Sequence, residues 1–167
     1  MIMEKVYGAT ERHDSLIVYG TRKATLIFGY GEENGQGYDF RHTFTHKPSK
    51  EEVLAVIVSH VNEQTDQKIL SGYKWRGKNV WLSSENQFNF KAAYDMAVQT
   101  GGASLPVKFK LGEDEDGSPV YHTFETMDEF THFYTNAITF IILALNEGWS
   151  EKDMAEQWLE NIMLAWE

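Results

Sequence analysis

The residues in this chain that could do chemistry are six histidines, an acidic turn and a group of aromatic and amide side chains. His42 and His46 suggest a metal site, but on one strand they would lie about 13 Å apart, too far to share a small ion. The other histidines lack metal-ligand spacing, and the chain has no cysteine. We therefore expect no metal and no cofactor.

The acidic turn at residues 113–118 resembles part of a calcium-binding loop. Asp114, Asp116 and Glu125 fall at positions 1, 3 and 12 of an EF-hand loop, whereas Pro119 occupies position 6, where the EF-hand needs glycine. The residues on either side have the pattern of strands, not of the two helices that an EF-hand requires. A solvated hairpin turn is the expected structure.

Catalysis has only weak candidates in the sequence. The tripeptide His-Asp-Ser at residues 13–15 contains the residue types of a hydrolase triad, but adjacent residues rarely converge in space and no nucleophile elbow is present. A site assembled from distant residues, such as Glu85, Asp95 or His122 in one cleft, is the remaining enzymatic alternative. We expect a protein that is not an enzyme.

A denser polar and aromatic group lies in the segment 73–91. Trp75 and Trp81 could stack on a sugar while Asn86 and Asn89 form hydrogen bonds to it, which makes these four the candidate ligand-binding residues. The alternative is that the indoles fill the core and the amides join the start of a helix to the preceding hairpin. The second interpretation is the favoured one.

The elements that must position these residues follow from periodicity and capping signals. Three strands are predicted at 16–19, 24–28 and 38–44, with a mobile, glycine-rich hairpin loop over 29–38. Capping boxes at Ser49, Ser84 and Thr126 begin three helices, and Gly148 ends the third before a last helix starts at Ser150. Two hairpins, at 73–82 and 105–124, separate the helices.

This order predicts an α+β fold with antiparallel hairpins alternating with helices and two C-terminal helices packed together. Residues 1–70 would form N-terminal strands plus one helix, and residues 71–167 a hairpin-helix-hairpin-helix-helix domain. The helix starting at Ser84 has two apolar faces, with Phe88, Ala92 and Met96 on one of them. We expect it to be covered on both sides.

The last two predicted helices carry more apolar surface than a terminal element needs. A contact between copies of the chain would explain the excess, and docking within the chain is the alternative. The candidate interface residues are Phe140, Leu143, Trp158, Met163 and Trp166.

Charge and hydropathy limit the partners. The 167 residues carry a formal net charge of -10, and no basic stripe compensates, so nucleic acid is not an expected partner. The most apolar stretch, residues 137–145, is far shorter than the roughly 20 residues of a membrane-spanning helix. Because no secretory signal is evident at the start, we expect a protein that is cytoplasmic when made.

Residues 69–158 resemble an uncharacterised domain family of phage and prophage proteins from the tail-fibre region. The resemblance implies a role in the virion or its assembly, with other phage or prophage proteins, or a second copy, as partners, and with incorporation into the virion as an option. The matching residues are Gly72-Tyr73-Lys74-Trp75-x-Gly77, Val80-Trp81-Leu82-Ser83, Glu85-Asn86-Gln87-x-Asn89, Leu105-Pro106-Val107-Lys108 and Tyr121-x-Thr123-Phe124.

The leading functional hypothesis is therefore a non-enzymatic structural or accessory protein, tail-associated, that acts through protein–protein contacts and can form a homo-oligomer. A carbohydrate-binding module that uses Trp75, Trp81 and the nearby amides is the alternative. A small enzyme is the third hypothesis.

Overall fold

The computed structural model describes residues 2–164, which form an α+β fold with antiparallel sheets, as predicted. Contacts divide these residues into two compact units. The first contains residues 2–63 and 149–164, and the second contains Gln64–Gly148. Residues 149–164 thus group with the N-terminal part of the chain, whereas the sequence-based division kept all of 71–167 together.

Within residues 2–164, four strands precede the first helix, and a two-stranded hairpin precedes each of the other two helices. The helices are α1 (Lys50–Ser71), α2 (Ser84–Gln99) and α3 (Met127–Leu164). The strands are β1 (Glu4–Tyr7), β2 (Ser15–Tyr19), β3 (Lys23–Glu33), β4 (Gln36–Phe44), β5 (Tyr73–Trp75), β6 (Lys78–Val80), β7 (Val107–Glu113) and β8 (Pro119–Phe124).

The first unit contains a four-stranded antiparallel sheet in the order β1-β4-β3-β2. The predicted hairpin between β3 and β4 is present, but a mobile loop over 29–38 is wrong, because both strands continue through this segment and join at a tight turn. Asn34 and Gly35 both have positive φ, 52° and 75°, as a type I′ hairpin turn requires. A Cβ at Gly31 would lie 2.3 Å from the Tyr38 ring, so glycine here lets the tyrosine cover the neighbouring strand.

The core of the first unit joins this sheet to two helices. Leu26 and Phe28 of β3 are buried together with Val53 and Ile57 of α1 and Leu159 of α3. The predicted capping box begins α1, since the Glu52 amide donates to Ser49 Oγ at 3.2 Å and the Ser49 amide donates to Glu52 Oε2 at 2.8 Å.

His60 is a buried titratable group in this core. Its ring centroid lies 4.3 Å from that of Phe40 and 6.4 Å from that of Phe28. Burial lowers the pKa of His60, and the nearby carboxylates of Glu63 and Glu151 oppose this effect. Protonation of this histidine therefore works against the folded state.

We expect the free energy of unfolding to decrease as the pH falls below about 6.5, the ordinary pKa of histidine. In that range the unfolded chain binds a proton at residue 60 that the folded chain resists, and the loss ends once the folded histidine is also protonated. His60→Phe should remove this part of the pH dependence, at most about 1.4 kcal/mol per pH unit, in urea titrations at several pH values. Phe40→Leu disturbs the same packing but keeps the histidine, and it should retain the dependence. Equal slopes for His60→Phe and the unmodified protein would contradict the assignment.

The second unit is organised by aromatic rings from four elements. The Phe133 centroid in α3 lies 5.2 Å from Trp75 in β5, 5.1 Å from Phe90 in α2 and 4.8 Å from Phe124 in β8. The two hairpins β5–β6 and β7–β8 form separate two-stranded sheets. Both hairpins and both helices thus pack on one aromatic centre.

A single helix, α3, replaces the two C-terminal helices that the sequence predicts. The sequence predicts a helix end at Gly148 and a new cap at Ser150, but the helix continues through both residues. Gly148 is buried, and a Cβ there would lie 2.5 Å from Thr65 Oγ1 of α1. The glycine allows α1 and α3 to approach closely within the second unit. This explains why a glycine stands here although the helix does not end.

Gly148→Ala should lower the free energy of unfolding by about 1–2 kcal/mol, because overpacking against Thr65 outweighs the gain of about 1 kcal/mol in helix propensity. In a Thr65→Ala background the hydroxyl is gone, and the same substitution should instead stabilise the protein by up to about 1 kcal/mol. Chemical denaturation of the four proteins in this double-mutant cycle measures both effects. An equal loss in the two backgrounds would show that the contact with Thr65 is not the cause.

Candidate functional site

Trp75 is a core residue of the second unit and not an open binding platform. Its side chain is buried, and its ring packs on Phe124 and Phe133. The indole N–H donates a hydrogen bond of 3.1 Å to His132 Nδ1, which satisfies its one polar atom. A sugar would have no free indole face here.

Trp81 is half-buried and lies at the junction of the hairpin β5–β6 and α2. Its backbone amide donates to the Leu111 carbonyl at 2.7 Å, and the Lys110 ammonium lies 5.6 Å from the centroid of its ring. The side-chain amide of Asn86 donates to the Trp81 carbonyl at 2.8 Å, whereas Asn89 is exposed. The four candidate ligand residues therefore do not form one surface.

The start of α2 differs by one residue from the predicted capping box. Ser83, not Ser84, is the N-cap, and its hydroxyl accepts a hydrogen bond from the backbone N–H of Asn86 at 3.2 Å. The Gln87 side chain donates to the Leu82 carbonyl at 2.6 Å instead of returning to the cap. The amides of this segment thus join the helix to the preceding chain, which is the interpretation that the sequence favoured.

Two of the three residues of the enzymatic hypothesis, Asp95 and His122, have partners outside the set. Asp95 forms an ion pair of 2.6 Å with Lys91 on the same helix face, and His122 bonds to other residues. No hydrogen bond or ion pair within residues 2–164 joins any two of Glu85, Asp95 and His122.

His122 is the centre of a polar network that sequence analysis did not predict. Lys78 Nζ lies 2.8 Å from His122 Nδ1, and Glu129 Oε1 lies 2.9 Å from His122 Nε2. Because an ammonium can only donate, Nδ1 accepts and the ring proton lies on Nε2, which donates to Glu129. Arg76 also donates to Glu129, at 3.2 Å, and its guanidinium lies 4.6 Å from the Trp75 ring centroid.

Both nitrogens of the His122 ring are occupied, one by a cation and one by a carboxylate. The network joins β6 and the β5–β6 turn to β8 and the first turn of α3. The sequence predicts Glu129 only as the partner of Thr126 in the third capping box. Its backbone amide does donate to Thr126 Oγ1 at 3.3 Å, but its carboxylate points to His122. No spacing in the sequence signals this pairing across β8 and α3.

The predicted interface residues have different environments. Phe140 is half-buried with its ring centroid 5.2 Å from that of Tyr73, and Trp158 packs on the core of the first unit. Met163 is half-buried, and Leu143 is 56% exposed. Trp166 lies outside the described residues. Leu143 is thus the residue of this set that presents the most surface.

A better candidate contact surface lies on another side of α3. We use the name α3 patch for Ile138, Ile141, Ile142 and Leu145, which share one helix face at spacings of three and four. Ile138 and Ile142 are exposed, whereas Ile141 and Leu145 line a groove of about 530 Å³. The other lining residues, from the end of α1 and the segment that leads into α2, are Asp66, Ile69, Leu70, Leu82, Ser83, Ser84 and Gln87.

The outer face of α2 is open, which corrects the prediction that both faces are covered. Phe90 and Ala97 are buried in the second unit. Phe88 is 71% exposed and Met96 is 58% exposed, with the exposed Ala92 between them. Both apolar faces exist as predicted, but the chain covers only one.

Residues 2–164 have neither a candidate metal centre nor a membrane-spanning helix. They contain no group of three or more histidine, aspartate or glutamate side chains placed to hold a metal ion. His42 and His46 instead pack against the Phe44 ring. None of the helices in this range is long and apolar enough to cross a membrane.

No protein-family model, curated protein or solved structure matches this chain. The resemblance to phage tail-region proteins therefore stays a prediction.

The Tyr73 hydroxyl is an unusual group in the core of the second unit. It is buried and has no hydrogen-bond partner among the residues that the structure describes. Burial raises the pKa of Tyr73 to about 12. A buried hydroxyl without a partner costs about 1–3 kcal/mol.

Tyr73→Phe should therefore leave the free energy of unfolding unchanged or raise it by up to about 1 kcal/mol. Tyr94→Phe is the matched control, because the Tyr94 hydroxyl lies 3.1 Å from Thr131 Oγ1. Its loss should cost about 1 kcal/mol in the same urea titrations. A greater cost for Tyr73→Phe than for Tyr94→Phe would mean that the Tyr73 hydroxyl is hydrogen-bonded, for instance to a buried water.

Proposed function

We propose that this chain is a non-enzymatic accessory or structural protein of a phage or prophage tail that works through protein–protein contacts. The tail context rests on the resemblance of residues 69–158. The mode of action rests on one observation, the exposed apolar α3 patch beside a groove. On this proposal the protein is made in the cytoplasm and can then be incorporated into the virion.

The α3 patch has the form of a protein contact surface. Ile138 and Ile142 are exposed one turn apart, and the groove next to them has an apolar floor of Leu82, Ile141 and Leu145. Contiguous apolar surface of this kind is typical of interaction sites in folded proteins. Helix faces with polar rims accept an amphipathic helix, with apolar anchors at spacings of three and four.

The rim of the groove carries few charges. Lys68 and Glu147 are close in sequence to residues that line the groove, and they form an ion pair with each other. Asp66 is the ionisable residue that lines the groove itself. A partner segment with apolar anchors and a single basic residue near Asp66 therefore matches the surface best.

The two alternative functions have less support. Carbohydrate binding needed an open indole beside free amides, whereas Trp75 is buried, Trp81 is half-buried and the Asn86 side-chain amide donates to the Trp81 carbonyl. The enzymatic alternative needed a catalytic group in reach of a substrate, and both ring nitrogens of His122 already have partners.

The test is co-expression of the chain with the proteins encoded on either side of its gene, followed by size-exclusion chromatography with light scattering. We expect a defined complex with a tail protein. Ile142→Glu should weaken it at least about tenfold, because an unpaired carboxylate in an apolar contact costs more than about 1.4 kcal/mol.

Met154→Glu is the control, because Met154 is also an exposed apolar residue of α3 but belongs to the first unit. It should leave the affinity unchanged. A chain that remains a strict monomer and binds none of the neighbouring gene products would refute the proposed function.

A further inference from the structure

The outer face of α2 is a second apolar surface, separate from the α3 patch. Phe88, Ala92 and Met96 recur every four residues and so form one stripe, about 12 Å long between its ends. The small side chain of Ala92 lies between the two large exposed ones. Such a stripe permits close approach of another helix at its centre.

The stripe is complementary to itself. If two copies of α2 pack antiparallel about a twofold axis at Ala92, each residue before Ala92 faces the residue equally far after it in the second copy. Phe88, four residues before, then faces Met96 of the second copy, four residues after. An aromatic ring against a methionine thioether is a favourable contact. The same contact occurs twice.

The charges beside the stripe fit the same arrangement. Lys91 and Asp95 form an ion pair on one flank of the stripe. The twofold axis brings this flank against its own copy, so that Lys91 comes within about 3 Å along the helix axis of Asp95 in the second copy. Glu85, seven residues before Ala92, faces the uncharged Gln99. Lys91 is equally close along the axis to Lys91 of the second copy, so this flank brings together two pairs of opposite charges and one pair of like charges, and the sum is attractive.

We propose that the outer face of α2 is a self-association surface on which two copies of this chain pair antiparallel about Ala92. The face is one helix wide and about two turns long, so pairing is weak and depends on concentration. This pairing goes beyond the proposed function, because it names a second copy of the chain as one partner. It uses a different helix from the α3 patch.

The test is sedimentation equilibrium of the full chain over a concentration series. We expect a monomer–dimer equilibrium, which Phe88→Glu should weaken at least about tenfold because it places a carboxylate in the apolar stripe. Val98→Glu is the matched control, since Val98 is 55% exposed on another side of the same helix. Circular dichroism and thermal melts of each variant verify that it is folded. A monomer at every concentration, or equal effects of the two substitutions, would overturn the proposal.

A charge exchange separates pairing between copies from effects within one chain. Lys91→Glu makes the flank wholly negative and Asp95→Lys makes it wholly positive, so each variant alone should associate at least about tenfold more weakly. Mixed in equal amounts, the two should form a heterodimer at least as tightly as the unmodified protein, because opposite flanks meet. No recovery on mixing would refute the arrangement.

Binding to the tail protein is measured on the same variants. Because the α3 patch is intact in them, a monomeric α2 variant that still binds the tail protein supports both proposals. A dimer that binds no tail protein would refute the proposed function and leave the α2 pairing standing.

Discussion

The second unit depends on the packing of rings around Phe133. A two-stranded hairpin is at best marginally stable by itself, and this unit contains two of them with no strand pairing that joins them into one sheet. Trp75 of β5 and Phe124 of β8 both reach Phe133, and Phe90 of α2 meets it edge-on. Each aromatic pair adds about 0.5–1.5 kcal/mol to the burial of its rings. The rings thus hold together two hairpins that share no strand pairing and are joined through the backbone by the bond from the Trp81 amide to the Leu111 carbonyl.

The His122 network adds direction to this packing. Apolar rings tolerate several arrangements, whereas the bonds from Lys78 and Glu129 to the two nitrogens of one imidazole restrict how β6, β8 and α3 meet. The indole N–H of Trp75 adds a further polar link, to His132 of α3. Polar bonds at the edge of the aromatic cluster therefore specify the register of the elements that the rings bring together.

Local signals in the sequence predicted the fold well, and signals with two meanings did not. The cap of α1 at Ser49 forms as expected, because both of its partners lie within one helical turn. Gly148 was misinterpreted because a glycine before a serine looks the same whether it ends a helix or makes room for Thr65, more than 80 residues earlier in the chain. Asn34-Gly35 carried a strong turn signal that the surrounding glycines obscured.

The candidate sites were harder to predict, because they depend on which side of an element is covered. Trp75 and Trp81 lie six residues apart in the same aromatic segment, yet only the ring of Trp75 lies among the core aromatics. The pairing of His122 with Glu129 and Lys78 joins residues of different elements, and no periodicity reports it. The sequence shows surplus hydrophobic residues in α3 and two apolar faces in α2, but which of these faces stays uncovered depends on the packing of the whole unit.

The two faces of α2 should differ in the substitutions that they tolerate. A polar substitution at Phe90 or Ala97 would damage the fold itself, so it would be removed whatever the protein does. A polar substitution at Phe88 or Met96 leaves the core intact, and its fate depends only on what that surface meets. The residues of the inner face are thus constrained by folding, and those of the outer face only by what that surface binds. The two faces of a single helix of sixteen residues can therefore change in sequence at different rates.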